Sequence, residues 1–366
     1  MERPRIKPEH APCRVADGRV RIGGPTYGVA AEVTDPSGAV WTLLESMDGS
    51  RDTDQIVRRV VAAHPTESTD GVRAALRRFV ESGYVEDAGA PDPPELTEQD
   101  KRRYDRGRAY FRWLDLTPRA STWEPQVALR RARITLVGLG GTGGVAATAL
   151  AASGVGRLVC VDPDVVELSN LNRQVLYTER DIGRPKVDVA VDRLRALNST
   201  VEVSGVRRRV AGVDDVVGLA AECDVLVLSA DRPPALRRWT NRACLATGTP
   251  WVDAGYHGPL VQVGTYVPGT GPCWECVRAT DDERHRAAGV RYEDTRRRDE
   301  AVANAVAAPS AGISGHLAAH HVISLVTGVP ALPPGRVDAV NLLAPDATFV
   351  RRDARRPDCP ACGTPA

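Results

Sequence analysis

The chain has 366 residues, 42% of them hydrophobic and 26% charged, with a formal net charge of +1. That length and composition predict a soluble protein of about two domains, and the near-neutral charge excludes the electrostatic footprint of a nucleic-acid or anionic-membrane partner. No apolar run reaches membrane-spanning length and MERPRIKPEHAPCR has no apolar signal core, so a cytoplasmic location is expected, where the eight cysteines point to metal or free thiols before disulfides.

Residues 1–88 read as a small separate α+β domain. Short strands are expected around Cys13–Val15, Arg19–Ile22 and Val29–Val33, separated by Asp-Gly, Gly-Gly-Pro and Asp-Pro-Ser-Gly turn chemistry. Helical spacing follows in AVWTLLESM, DTDQIVRRVVAAH and DGVRAALRRFVESG, with Thr53 or Asp54 and Thr69 or Asp70 as expected caps. GYVEDAG adds a short strand, giving a winged-helix pattern. The prolines of residues 89–96 mark a linker, and a helix with a basic face is expected from Thr97.

From Ala132 onward, strands alternate with helices: RITLVGLGG, a helix to Ser153, RLVCVDPD, a helix Pro185–Leu197, CDVLVLSA, a helix through Trp239, then PWVDAGY and VQVGTYVPG. Apolar strands separated by helices predict a doubly wound, mostly parallel sheet over residues 97–366. Residues 279–300 are densely charged without hydrophobic period, and read as either a solvated loop or an ordered lid over a site.

Gly138-Leu139-Gly140-Gly141-Thr142-Gly143 satisfies G-x-G-x-x-G between a strand and a helix. Glycine suits such a turn because the backbone must approach a phosphate beside the free N–H groups of the helix. Asp162 closes the next strand, where a carboxylate accepts from ribose hydroxyls. Alone, this fingerprint fits a nicotinamide dehydrogenase. The following Asn170, Asn172, Arg173 and Gln174 favour ATP instead, since chemistry at a triphosphate needs cations and donors that a dehydrogenase does not. Only Lys7, Lys101 and Lys186 are lysines, and Lys186 falls at a helix start where a phosphate would lie, the other two in loop or linker.

Cys273-Trp-Glu-Cys276 and Cys359-Pro-Ala-Cys362 form two C-x-x-C pairs, the spacing of a closed four-thiolate structural zinc site, with two disulfides as the alternative. Cys160, Cys223 and Cys244 read as core thiols and Cys13 as a strand residue. His316, His320 and His321 read as ordinary helix histidines, and His257 as a weak substrate-contact candidate.

Taken in order, GLGGTG, VDPD, LSNLNRQ, GRPK and the C-x-x-C pairs resemble the ubiquitin-activating-type adenylyltransferases of the ThiF/MoeB group, over roughly residues 97–365. The resemblance implies that Asp162 binds ribose, that Asn170, Arg173 and Lys186 contact phosphates, and that Asp231 holds magnesium. It also implies that Arg106 reaches into a partner subunit's nucleotide site, making a homodimer obligatory. Arg232 stands where the family has an asparagine after the magnesium aspartate. Val277–Ser314 lacks the cysteine that thioester-forming members carry, so transfer through an enzyme thiol is not expected.

The first domain resembles the leader-peptide recognition element fused to peptide-tailoring enzymes, which implies a peptide added to the edge near Val29–Val33 beside the helix Gly71–Ser82. An oligomerisation module and a nucleic-acid winged helix, the latter with Arg73, Arg77 and Arg78 on its recognition helix, are the other readings of this pattern. The expected function is ATP-dependent adenylation of a carboxylate or side-chain amide on a ribosomally made precursor peptide. Activation of a sulfur-carrier protein, or a non-catalytic leader-binding role beside a cyclodehydratase, are the alternatives.

Overall fold

Residues 1–25, 28–289 and 305–363 are described by the computed structural model, and they divide into two units, Met1–Ala128 and Leu129–Ala366. In the first, β1 (Pro4–Ile6) pairs antiparallel with β5 (Val85–Asp87). A separate antiparallel sheet joins β2 (Cys13–Val15), β3 (Arg19–Ile22) and β4 (Ala31–Thr34), with β3 central. The β2–β3 turn needs positive φ at Asp17 (63°) and Gly18 (64°), which the Asp-Gly pair supplies. Helices α1 (Ala39–Ser46), α2 (Thr53–Ala63) and α3 (Thr69–Glu81) bury Leu43, Met47, Ile56, Val60, Leu76 and Phe79 with Val20 and Ile22 of the sheet.

Both expected caps lie one residue too far along the chain. Asp52 caps α2, reciprocally with Gln55, and Ser68 caps α3 through the Gly71 amide. An N-cap oxygen serves the amide three residues on, and only Asp52 stands three before a glutamine that can answer it. Strand β1 was not expected, because three residues set among prolines and charges carry no period.

Helix α4 (Glu98–Leu114) starts from the expected Thr97, in a capping box with Asp100. It falls within the first unit: Arg112 pairs with Glu9 and Glu86, and the Lys7 ammonium donates to the carbonyl of Asp115. Lys7 thus lies in a loop, as expected, and is buried there. Lys101 lies on α4, paired with Asp92 and Glu98.

After α5 (Glu124–Arg131), the second unit holds one eight-stranded sheet. Its strands are β6 (Arg133–Val137), β7 (Arg157–Val161), β8 (Glu202–Val206), β9 (Val225–Leu228), β10 (Trp251–His257), β11 (Leu260–Tyr266), β12 (Arg336–Asn341) and β13 (Phe349–Arg352). Their order is β13-β12-β11-β10-β9-β6-β7-β8, parallel from β10 to β8 and antiparallel beyond, which is the doubly wound, mostly parallel sheet expected. The chain leaves β6 toward β7 and later returns to β9 on its other side, so β6 and β9 flank the switch point where such sheets open a crevice.

Helix α6 (Gly141–Ser153) is buried from Gly141 to Ala147 and again at Leu150 and Ala151. It packs against the helix Ala308–Thr327, where a Cβ on Gly315 would sit 2.5 Å from the Thr142 carbonyl oxygen. Helices α7 (Lys186–Leu197), α8 (Val213–Ala221) and α9 (Leu236–Thr247) complete the alternation.

Helix α10 (Trp274–Ala287) takes in the first part of what reads as charged loop, residues 279–287. Its order comes from ion pairs instead of an apolar stripe: Arg278–Asp282 and Arg284–Asp281 within the helix, and Arg284–Asp353 and Arg356–Glu283 to the C-terminal segment. The rest of that stretch, 290–300, lies outside the described residues. Among the described residues no helix is long and apolar enough to cross a membrane.

Candidate functional site

Strand register brings the first group of site residues into line. Val137 pairs with Val161 and with Leu228, so Gly138, Asp162 and Ser229 follow side by side at the carboxyl ends of β6, β7 and β9. Gly138 has φ 98°, and a Cβ there would lie 2.9 Å from Ala230. A Cβ on Gly143 would lie 1.9 Å from the Gly138 oxygen, so helix and strand approach as closely as they do only because no side chain intervenes.

These ends open into a cleft of about 490 Å³. Its lining includes Gly138, Gly140, Gly141, Asp162, Asn170, Arg173, Gln174, Lys186 and Asp231, so nearly every residue singled out for the nucleotide converges there. Gly143 lies one turn behind. Every lining residue belongs to the second unit; Arg106, exposed on α4 of the first, is not among them.

The cleft is built to receive negative charge. Arg173, Lys186, Arg208, Arg209 and Arg232 line it against Asp162, Asp164 and Asp231, and the N-terminus of α6 adds its free amides. Lys186 is the first residue of α7, the end of a helix where a cation is disfavoured. It is buried, and its ammonium lies 3.3 Å from an Asp164 carboxylate oxygen. Arg173 is held by the Ser169 carbonyl at 2.9 Å and the Asn172 side chain at 3.0 Å.

Asp162 is buried, and its two oxygens accept from the Leu139 amide at 2.7 Å and the Asp164 amide at 2.9 Å. Each oxygen keeps a second lone pair for a ligand hydroxyl. Asn170 spends its Oδ1 on the Glu167 amide, at 3.1 Å, so its first duty is to shape the loop. Two buried oxygens in the cleft wall, Gln174 Oε1 and Thr142 Oγ1, have no hydrogen-bond partner among the described residues. A buried polar atom left unmatched costs about 1–3 kcal/mol, which a ligand would recover.

Sequence reasoning missed Thr142, Asp164, Arg208, Arg209, Gly255 and Tyr256 as lining residues. The run Arg207–Arg209 was a visible signal, because Val161 pairs with Val206 and the arginines therefore follow beside Asp162. Tyr256 gave none. It reaches the cleft because β10 runs beyond its partner β9, and burial pushes its phenol up while Arg173 pulls it down.

A second cleft, of about 420 Å³, shares Asp231, Gly255 and Tyr256 with the first. His257 lines it, as do Arg237, Asp253, Gln262 and Trp274. His321, by contrast, is a satisfied core residue between Thr265 (2.7 Å) and Asp338 (2.8 Å).

The four cysteines do come together. Sulfur–sulfur distances are 3.8 Å for Cys273–Cys276, 3.6 Å for Cys273–Cys359 and 3.4 Å for Cys276–Cys362, with all four ligand atoms within 4.8 Å of one another. Tetrahedral zinc with bonds of about 2.3 Å sets its sulfurs about 3.8 Å apart, so the group fits a closed zinc site and is too open for disulfides at about 2.05 Å. The other thiols are core, as expected: burial pushes Cys160 up to about 12 and raises Cys223 and Cys244 as well. Cys13 is exposed on β2.

Comparison with known proteins is consistent with this geometry. The ThiF family profile matches residues 115–361. The chain is 31% identical over 277 residues to the molybdopterin-synthase adenylyltransferase of Escherichia coli, covering 74% of this chain and 99% of that one. It is 33% identical over 246 residues to the E. coli sulfur carrier protein ThiS adenylyltransferase, covering 65% and 88%. With the adenylyltransferase and sulfurtransferase MOCS3 of Bos taurus it shares 34% over 276 residues, 75% of this chain and only 56% of that longer protein. Among solved structures, E. coli MccB with succinimide superposes over 100% of both chains at TM-score 0.79 and 22% identity, and MccB with ATP over 98% and 99% at 0.76 and 22%. The microcin C7 biosynthetic enzyme MccB with N-formylated MccA gives 0.76 at 22% identity over the same shares. Identity this low shows a shared fold, and that fold extends through the first unit.

Proposed function

This chain belongs to the ThiF family, and from that premise we propose that it adenylates a carboxylate or side-chain amide on a ribosomally made precursor peptide during natural-product maturation. It is an ATP-dependent adenylyltransferase. The observation that carries the reading is the cationic cleft at the switch point, with unmatched Gln174 and Thr142 oxygens and Asp231 at its far side.

In this reading the glycine turn and the α6 amides hold phosphates, Asp162 holds the ribose, and Arg173 and Lys186 stabilise charge developing at the α-phosphorus. Asp231, whose side chain is 48% exposed and faces the cleft, is suited to hold magnesium, which when bound neutralises phosphate charge. The acyl or amide oxygen attacks the α-phosphorus, pyrophosphate leaves, and a later nucleophile displaces AMP.

The first unit supports a peptide substrate. Among the described residues β4 pairs with β3 alone, which leaves an edge for an extended leader beside α3. The nucleic-acid alternative has less to stand on, since Arg73 is paired with Asp54. A homodimer is supported by α4, where Arg106, Tyr110 (52% exposed) and Trp113 (39% exposed) recur at helical spacing on one face. Exposed aromatics beside an arginine are the composition of an interface. A second copy on this face would let Arg106 serve its partner's nucleotide.

Sulfur-carrier activation is the second reading, favoured by the curated relatives. It leaves the first unit, which precedes the family match almost entirely, without a role. A non-catalytic scaffold would have no use for Asp162, Arg173, Lys186 and Asp231 gathered in one cleft.

The deciding experiment is calorimetric titration with Mg·ATP and, separately, NAD. Micromolar ATP binding that weakens at least about tenfold in Lys186→Ala, with no response to NAD, is expected. Pyrophosphate exchange that appears only with a candidate precursor peptide would then identify the substrate, whereas exchange driven by a sulfur-carrier protein would select the second reading.

A further inference from the structure

Arg237 sits where the two clefts of the second unit meet. Its Nε donates to both Asp253 oxygens, at 2.9 and 3.1 Å, and its Nη2 donates to an Asp231 oxygen at 3.1 Å. A Cβ on Gly255 would lie 3.4 Å from that Nη2, so the guanidinium tip lies in contact distance of the strand residue that both clefts share. Asp253 stands opposite Leu228 in the sheet, three residues before Asp231, which fixes both carboxylates from adjacent strand ends.

We propose that Arg237 binds the carboxylate that attacks ATP, and that it does so once Asp231 has exchanged Arg237 for the magnesium of Mg·ATP. The inference rests on reading the cleft as a Mg·ATP site, and goes beyond it by naming the group that holds the acyl substrate and the order in which the two substrates enter. Arg237 with Asp231 and Asp253 carries one net negative charge, which repels an incoming carboxylate. A divalent cation on Asp231 offsets the carboxylate charge locally and frees the Nη2 donor, while Arg173, Lys186 and the other cations of the first cleft meet the triphosphate that comes with it. Asp253 keeps Nε engaged, so the fork stays aimed at the junction through the exchange. Burial drives the Asp253 carboxyl up while Arg237 opposes it, which makes this carboxylate dependent on the arginine it positions.

The same arrangement selects a carboxylate over an amide. A carboxylate oxygen forms its bond to the α-phosphorus as the bond to pyrophosphate breaks, with no proton to move. An amide oxygen would form a cationic imidate that must lose an N–H proton. Asp253 is engaged through both oxygens with Arg237, and Asp231 is committed to the cation in this reading.

The test uses Mn²⁺ in place of magnesium, the non-reacting α,β-methylene analogue of ATP, and [¹³C]acetate as the carboxylate, on the full chain. Electron paramagnetic resonance reads Mn²⁺ affinity, and paramagnetic broadening of the acetate signal reads its approach to bound Mn²⁺. In wild type, acetate should be broadened only when the nucleotide analogue is present, and [¹³C]acetamide should not compete. Arg237→Gln should bind Mn²⁺–nucleotide about tenfold more tightly, because Asp231 loses its competitor, and should lose acetate broadening. Arg237→Lys, which keeps the charge without the fork, guards against a folding defect and should weaken acetate while retaining nucleotide. Unchanged Mn²⁺ affinity in Arg237→Gln, retained acetate broadening, or equal competition by acetamide would overturn the proposal while leaving the ATP reading intact. Failure of wild type to bind Mn²⁺–nucleotide would sink both.

Discussion

Lys7 and Lys186 are buried to nearly the same degree, 4% and 5% exposed, yet they face different things. Lys7 lies in the first unit in a gap of only about 10 Å³, donating to the Asp115 carbonyl, with Glu86, Arg112 and Arg119 closing the same space. Burial pushes its ammonium down from the usual range, against the pull of Asp115 and Glu86. Lys186 lies in the second unit at the wall of a 490 Å³ cleft, beside two unmatched oxygens and an excess of cations. The difference teaches that a buried charge marks a functional site when its surroundings are left electrically and sterically incomplete. Where they are complete, the charge is architecture.

Substitutions separate the two cases. The largest effect is expected at a third incomplete group: Cys276→Ser removes one of four thiolates from a site whose metal contributes about 10 kcal/mol or more in small zinc domains. Metal analysis of the purified protein should find the zinc lost, and thermal unfolding of the second unit should move down. Lys186→Ala should reduce AMP formation about a hundredfold to a thousandfold while the urea midpoint stays in place. Lys7→Ala should do the opposite, lowering unfolding free energy by about 3 kcal/mol with ATP affinity unchanged, because the buried Asp115 carbonyl loses its donor and the side chain that fills the space is removed. Equal destabilisation by the two lysine variants would erase the distinction between them. The smallest effect, about 1 kcal/mol, is expected for Asp52→Ala, which removes the cap of α2 and should register only in the unfolding of the first unit.

The same contrast explains what the sequence disclosed. Glycines 138 to 143, Asp162, Arg173 and Lys186 were legible because phosphate chemistry demands particular residue types just after particular strands, and register then aligns them. The cysteine pairs were legible from spacing. Lys7 stands in a loop as expected, but its burial was hidden because its partner Asp115 stands 108 positions away and no local pattern encodes it. Strands β1, β8, β12 and β13 were missed because they carry charged or small residues among the apolar ones, and their pairing is set by neighbours already in place. The helix Trp274–Ala287 was hidden because its stabilising pairs are charged, and hydrophobic period is blind to them. Tyr256 and Arg237 gain their positions only from how far β10 extends and where α9 begins.

The cysteine cluster ties Cys276 to Cys362 across 86 positions. Closing so long a loop limits the freedom of the unfolded chain by about 4 kcal/mol, but the dependence on length is logarithmic, so doubling the loop changes that figure by only about 0.6 kcal/mol. Changing the length of the chain between the two cysteine pairs therefore costs almost nothing in closure entropy, whereas rewriting the helix Ala308–Thr327 or strands β12 and β13 within it would cost the packing they give α6 and the sheet. Closure at the cysteine cluster thus leaves the length of this segment free while its packing on α6 and the sheet keeps its composition constrained.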